Sequence, residues 1–330
     1  MSMYNYTHKQ HFKFGYNNEW FNHRNDEHDR WHVDYGTIER EPLDFKAESY
    51  RVAQLIENES MRLGLPIDLM YSGGTESEMM VRSFVEQGIP AHVHIMRFKD
   101  GLNQHDIQDA EAYCEDHGIK PIYHDLDLLH FWREDCWEYA ERTKCISPQL
   151  LSTMWLMDQL DGLPVMGSAE CYISYEDLNK YQYYDPTVRQ VMRKRIDEYP
   201  VKPWYMHERE KIAAWYRHPM SQDRPAVPGY FQYTPEIMLA FLEDPFTQEL
   251  ADCKHRGKLS NSSTKLQVYE KYFPNLRQRK KTTGFEKVMK YDAVVRRELY
   301  RKYSIYKQEA RWEYEALKRH LRGDRNGHTY

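Results

Sequence analysis

From Ala47 to Leu63 the apolar positions Tyr50, Val52, Leu55, Ile56 and Met61 give a rough helical face, and Gly64-Leu65-Pro66 stops it. The period then changes. Ile67-Asp68-Leu69-Met70-Tyr71 is a short, mostly apolar run of strand length that leads directly into Ser72-Gly73-Gly74-Thr75-Glu76-Ser77. A helical pattern follows over Glu78–Gln87 and ends at Gly88-Ile89-Pro90, after which Ala91–Met96 reads as a second strand. A helix over about Asp106–His117 stops at Gly118, and Pro121-Ile122-Tyr123-His124 begins a third strand. Leu150–Leu160 is helical, Gly162 and Pro164 turn the chain, and Val165-Met166 is a brief strand before Gly167.

Strands alternating with helices at this spacing predict βαβ units and a doubly wound, Rossmann-like parallel α/β sheet over residues 46–180. Past residue 180 the strand signals cease. Tyr181–Tyr199, Thr234–Leu242, Lys265–Tyr272 and a long stretch near Phe285–Arg322 read as helices, so residues 181–330 form a mostly helical region. His255–Ser263 is the best linker candidate. Residues 1–45 are polar and aromatic and read as an extension. Its His8, His11, His23, His28 and His32 match no defensible zinc spacing.

Composition narrows the class of protein. Hydrophobic residues make up 41% of the 330 and charged residues 29%, which suits a globular protein with a real core. No apolar run approaches the roughly 20 residues that span a bilayer, and the start of the chain lacks a signal peptide's apolar stretch, so no membrane association and a cytoplasmic location are expected. Cys114, Cys136, Cys145, Cys171 and Cys253 are an odd, scattered set without a C-x-x-C pair, which argues against a disulfide framework or a cysteine zinc site. The net charge of −5 conceals an asymmetry: residues 251–330 carry 21 Lys and Arg against 9 Asp and Glu, while the first 250 carry 25 against 42. Such a basic segment either meets a polyanion or packs against the acidic body.

The chemistry concentrates in the loop. A strand feeding a Gly-Gly loop that opens a helix collects backbone N–H groups at a helix N-terminus, where the dipole also favours negative charge. Gly73 and Gly74 let backbone approach a phosphate, and Gly74→Val is expected to abolish nucleotide binding with the fold intact, because a β-branched side chain would block that approach and resist any positive φ. Ser72 and Ser77 add hydroxyl donors, and Glu76 offers an oxygen ligand for Mg²⁺.

These residues resemble the Ser-Gly-Gly-x-Asp-Ser signature of the PP-loop ATP pyrophosphatases, with Glu76 standing where that family has aspartate. The likeness covers roughly residues 66–175 and is closest to the synthetase domain of asparagine synthetase. Gly162-Leu163-Pro164-Val165-Met166-Gly167-Ser168-Ala169-Glu170 resembles that domain's second acidic loop, with Ala169 in place of an aspartate. Phe273-Pro274-Asn275-Leu276-Arg277-Gln278-Arg279-Lys280-Lys281-Thr282-Thr283-Gly284-Phe285 resembles its basic segment. The chain begins Met-Ser-Met, without the N-terminal Cys nucleophile of the amidotransferase form, so no glutaminase activity is expected. Without paired cysteines it also departs from the tRNA thiolases and the deazaguanine-forming nitrile synthases.

The resemblance implies an adenylating enzyme that takes ATP and Mg²⁺, releases pyrophosphate, and activates a small-molecule carboxylate or carbonyl for attack by an amine. It assigns phosphate binding to Ser72, Gly73, Gly74, Thr75, Ser77 and Gly167, metal binding to Glu76 and Glu170, and the leaving pyrophosphate to Lys280 or Lys281. The adenine is expected against the end of the second strand near Met96 and Arg97. Two alternatives stand beside this reading. One is a modifier of tRNA or DNA whose Arg296, Arg297, Arg301, Lys302, Lys318, Arg319 and Arg322 touch phosphates. The other is a nucleotide-binding protein without turnover.

Overall fold

The computed structural model describes residues 13–17, 19–20, 31–34, 40–143, 145–167, 226–227, 229–245, 261–277 and 284–303. Its centre is a four-stranded parallel sheet of β4 (Ile67–Met70), β5 (His92–Phe98), β6 (Ile122–Leu126) and β7 (Leu163–Met166), in the spatial order β6-β5-β4-β7. The registers pair Leu69 with Val93, Met70 with Met166, and Met96 with His124. Val227 extends this sheet past β7 by an isolated parallel bridge to Val165. The sheet and its flanking helices make the fold α/β.

Each strand turns alternate side chains to opposite faces, and both faces are covered, as parallel sheets require. Ile67, Leu69, Val93 and Ile95 pack beneath α1 (Phe45–Leu63), α2 (Thr75–Val85) and α3 (Gln104–Asp116), joined by α7 (Pro235–Leu242) and α8 (Asn261–Tyr272). Met70, Phe98 and Leu126 pack on the other face against α4 (Leu128–Arg133), α5 (Cys136–Thr143), α6 (Pro148–Met157) and α9 (Met289–Tyr303). The two short helices α4 and α5 carry too few turns for a periodic signal, and the sequence pattern did not reveal them. The 255–263 linker expectation is corrected at its end, since Asn261 already opens α8; residues 255–260 and Tyr181–Tyr199 lie outside the described residues.

Helix α1 begins two residues before the apolar pattern does because Asp44 caps it, accepting from the Ala47 N–H at 2.9 Å. Gly64 ends it in the left-handed region, with Leu65 N bonded back to Ser60 O. Its buried stripe is Phe45, Ser49, Val52, Ala53 and Ile56, whereas Met61 is exposed. Glu48, fully buried on that stripe, accepts two bonds from Arg40 and one from Leu43 N. Removing the cap in Asp44→Ala should lower stability by about 1 kcal/mol, read as an earlier urea midpoint at unchanged slope.

Phe45 also anchors an aromatic seam, its ring 5.7 Å from Phe231, 5.5 Å from Phe241 and 6.3 Å from Tyr269. Part of the unusual aromatic content therefore fastens the C-terminal helices to α1. Within the N-terminal extension, β1 (Lys13–Tyr16), β2 (Glu19–Trp20) and β3 (Trp31–Asp34) form a small antiparallel sheet in the order β2-β1-β3, with Asn17 at φ 56° after β1. No described helix is long and apolar enough to cross a membrane.

Candidate functional site

Strand order locates the crevice. The chain steps from β4 to β5 to β6 in one direction, then returns to place β7 on the other side of β4. The segments leaving β4 and β7 therefore diverge at the carboxyl ends of adjacent strands, the position where open parallel sheets bind ligands. Ser72-Gly73-Gly74 leaves β4 there, and Gly167 leaves β7.

The loop is tied to itself. Ser77 Oγ donates to Gly74 O at 2.9 Å, lies 3.0 Å from Ser72 Oγ, and accepts from Ser72 N at 3.3 Å. Ser72 is exposed while Ser77 is buried, so Ser77 braces the loop from within and Ser72 faces outward. Gly74 is the N-cap of α2 at φ −72°, ψ 156°, and no side chain caps the helix. This corrects the expectation for Gly74: its backbone is ordinary extended chain, as an N-cap needs. The left-handed residue is Gly73, at φ 82°. A Cβ on Gly73 would overlap the backbone carbonyl of Asp106, standing 2.8 Å from its carbon.

Gly167 makes the matching approach from β7. A Cβ there would stand 2.6 Å from Ser77 Cα and 2.9 Å from Ser77 N, so only glycine lets this strand end reach the first turn of α2. Thr75 and Glu76 occupy that turn and are half-buried. Directly beneath, Tyr71 is fully buried; burial pushes its phenol well above the ordinary tyrosine range, and that of neighbouring Tyr113 likewise.

The third wall is the turn between β5 and α3. Asn103 braces it, accepting from Phe98 N at 2.8 Å and donating to Met96 O at 2.9 Å. Met96 is thereby fixed through its carbonyl at the strand end. Arg97 points to the neighbouring strand, where it forms two bonds to Asp125 at 2.7 and 2.8 Å and lies 4.3 Å over the Tyr123 ring. That guanidinium holds the Asp125 carboxyl below its ordinary value.

The basic segment is anchored on both sides of residues 278–283. Before it, Glu78 Oε2 accepts from Arg277 N at 3.0 Å, and Arg82 donates to Pro274 O and Asn275 O at 2.7 and 2.9 Å. Glu78 and Arg82 are themselves a buried ion pair at 2.6 Å on α2. After it, Gly284, at φ 77°, rests against Asn103, where a Cβ would stand 2.7 Å from the Asn103 Cβ. Both anchors thus belong to the elements that frame the loop. Lys280, Lys281 and Glu170 lie outside the described residues, as do Lys318, Arg319 and Arg322.

The remaining cations proposed for nucleic acid each lie near a carboxylate. Arg296 is 3.1 Å from Asp292, Arg297 3.7 Å and Arg301 2.8 Å from Glu298, and Lys302 3.2 Å from Glu141 on α5. On α9 these four cations share three carboxylates, Glu298 serving both Arg297 and Arg301.

Asn103, Asp106, Glu78 and Arg82 are the framing residues that sequence reasoning missed. Asn103 and the Gly284-Phe285 turn carried no signal, because their meeting depends on the fold alone. Glu78 and Arg82, four apart on an expected helix, were legible as an ion pair, but not as the anchor of a segment 192 residues away. No protein-family model matches the chain, and no curated protein matches its sequence.

Proposed function

We propose that this chain binds ATP in the crevice between β4 and β7 and, as a PP-loop-type enzyme, transfers its adenylyl group to an acceptor carboxylate or carbonyl oxygen. The observation that carries the reading is the Ser72–Ser77 loop: it leaves a central parallel strand at the point where strand order reverses, and opens α2 with no side-chain cap. The two close glycine approaches, Gly73 to Asp106 and Gly167 to Ser77, hold its backbone in place. Ser72, Gly73, Gly74, Thr75 and Ser77 would receive the phosphates, with Gly167 as the opposite wall and Met96 and Arg97 toward the base.

Carboxylate oxygens suit Mg²⁺, a hard cation that keeps several waters and takes one or two protein ligands. Glu76 and Glu170 would hold it, and it would supply neutralisation of phosphate charge. The acceptor oxygen attacks the α-phosphorus while the bond to the bridging oxygen breaks, and pyrophosphate departs toward Lys280 and Lys281. Positioning and fixed charge are what the protein contributes to such a transfer.

An amine then attacks the adenylylated carbon and displaces AMP, so incubation with α-labelled ATP, Mg²⁺ and a metabolite pool should yield labelled AMP; labelled ADP would overturn the adenylyl-transfer reading, and binding without products would leave a nucleotide-binding protein. Glu76→Gln should weaken Mg·ATP by much more than metal-free ATP, because it removes charge and keeps size. Equal calorimetric losses in Mg²⁺ and in EDTA would remove Glu76 from the metal.

A further inference from the structure

At the amino-terminal end of the sheet, about 13 Å along β4 from the phosphate loop, lies a second cluster that the ATP reading does not use. Asp68 on β4 sits directly across from His92 on β5 in the strand register, and His94 follows two residues on, so all three project from the same face. Asp68 Oδ1 is 3.1 Å from His92 Nδ1 and 3.2 Å from His94 Nε2. One ligand atom from each of the three residues lies within 4.8 Å of the other two.

The surroundings are those of a ligand set. Gly162 N donates to the other oxygen of Asp68 at 2.6 Å, turning Oδ1 toward the imidazoles. The far nitrogen of His94, Nδ1, lies 2.9 Å from His124 Nε2 on β6. Metal-binding imidazoles and carboxylates are oriented through their second atoms in this way.

The decisive atom is His94 Nε2. It is buried and forms no hydrogen bond, although a carboxylate oxygen stands beside it. When Nδ1 of His94 donates to His124, Nε2 presents a lone pair to a carboxylate lone pair, and a metal cation between them would make the contact favourable.

We infer that Asp68, His92 and His94 form a site for a divalent transition metal of the zinc class, with a fourth position open to solvent beside His92. Two imidazoles and one carboxylate are a borderline donor set that suits Zn²⁺ better than Mg²⁺ or Ca²⁺. Bonds of about 2.0–2.1 Å place neighbouring tetrahedral ligands about 3.3 Å apart, close to the two measured spacings. The metal would clamp β4 to β5 and, through Gly162, to the turn that starts β7. It is separate from the Mg²⁺ of the nucleotide site.

The test uses the full chain, stripped by chelation and titrated with Zn²⁺ by calorimetry and with Co²⁺ by its visible ligand-field absorption. One equivalent with a four-coordinate Co²⁺ spectrum is expected. His92 carries the fold-safe variant, because its side chain is 56% exposed. His92→Ala should lower affinity at least roughly 10-fold and change the spectrum, since even outer-shell losses cost 10–100-fold. Asp68→Asn, checked for folding by circular dichroism, should do the same. Absence of binding in the parent chain overturns the site. So does binding that His92→Ala leaves intact, which would assign the metal to other histidines.

Discussion

Gly73→Ala is expected to destabilise the protein by roughly 2–5 kcal/mol and to abolish ATP binding. A left-handed backbone costs an L-residue about 1–2 kcal/mol, and forcing an added group into a packed site costs roughly 1–3 kcal/mol more. Here the obstacle is the carbonyl of Asp106, a backbone atom of α3 that cannot rotate away as a side chain would. The loop must lift instead, which moves Ser72 and Gly74 from their places. Gly74→Ala is the control. At φ −72° it meets no such strain, and exchanging Gly for Ala at an N-cap costs at most about 1 kcal/mol. Urea unfolding and ATP titration of both variants decide the matter. If Gly73→Ala unfolds no earlier than Gly74→Ala, the tight approach of loop to α3 is wrong.

Arg82→Met should cost about 3–5 kcal/mol, because it leaves Glu78 as a buried charge without its partner. The Glu78 side chain has no exposed surface and that of Arg82 has 11%. The double change Glu78→Gln with Arg82→Met should recover part of the loss, since it removes the charge along with its partner. Backbone carbonyls of Pro274 and Asn275, both exposed, can turn to water in either variant. Denaturant midpoints of the two single changes and the double give the coupling. A double variant no more stable than Arg82→Met alone would show that Arg82 acts through Pro274 and Asn275 rather than through Glu78. On the proposed function, ATP turnover should fall in both, because Glu78 also fixes Arg277 at the head of the basic segment.

The sheet was legible because its strands are short apolar runs bounded by Gly and Pro, and because helical spacing separates them. The loop was legible for the same reason: a glycine pair between two period changes marks a place where backbone must approach something. What stayed hidden depends on register and tertiary contact. Gly73 and Gly74 are equivalent as letters, and only the folded chain shows that Gly73 is the left-handed one and lies against the backbone of α3. His92 and His94 alternate on a strand and so share a face, but Asp68 is 24 residues earlier and joins them only through β4–β5 register. The N-terminal strands β1 and β3 are four residues each and lie far apart in sequence, so neither shows a sustained alternation.

The clamp between Arg82 and residues 274–275 bears on how the chain is made. Long-range contacts of this kind are slow to close, since loop entropy must be lost before they form. During synthesis α2 emerges early, yet its buried pair waits for a segment 192 residues behind it. The strand edge of β7 waits likewise for Val227, whose N–H donates to Pro164 O and whose carbonyl accepts from Met166 N. Until then a growing chain presents an unpaired edge and a half-covered helix, the features that recruit chaperones and seed aggregation. The described elements that frame the crevice are thus completed only when residues 274–284 have left the ribosome, and a nascent chain stalled before residue 277 should be held by chaperones rather than fold.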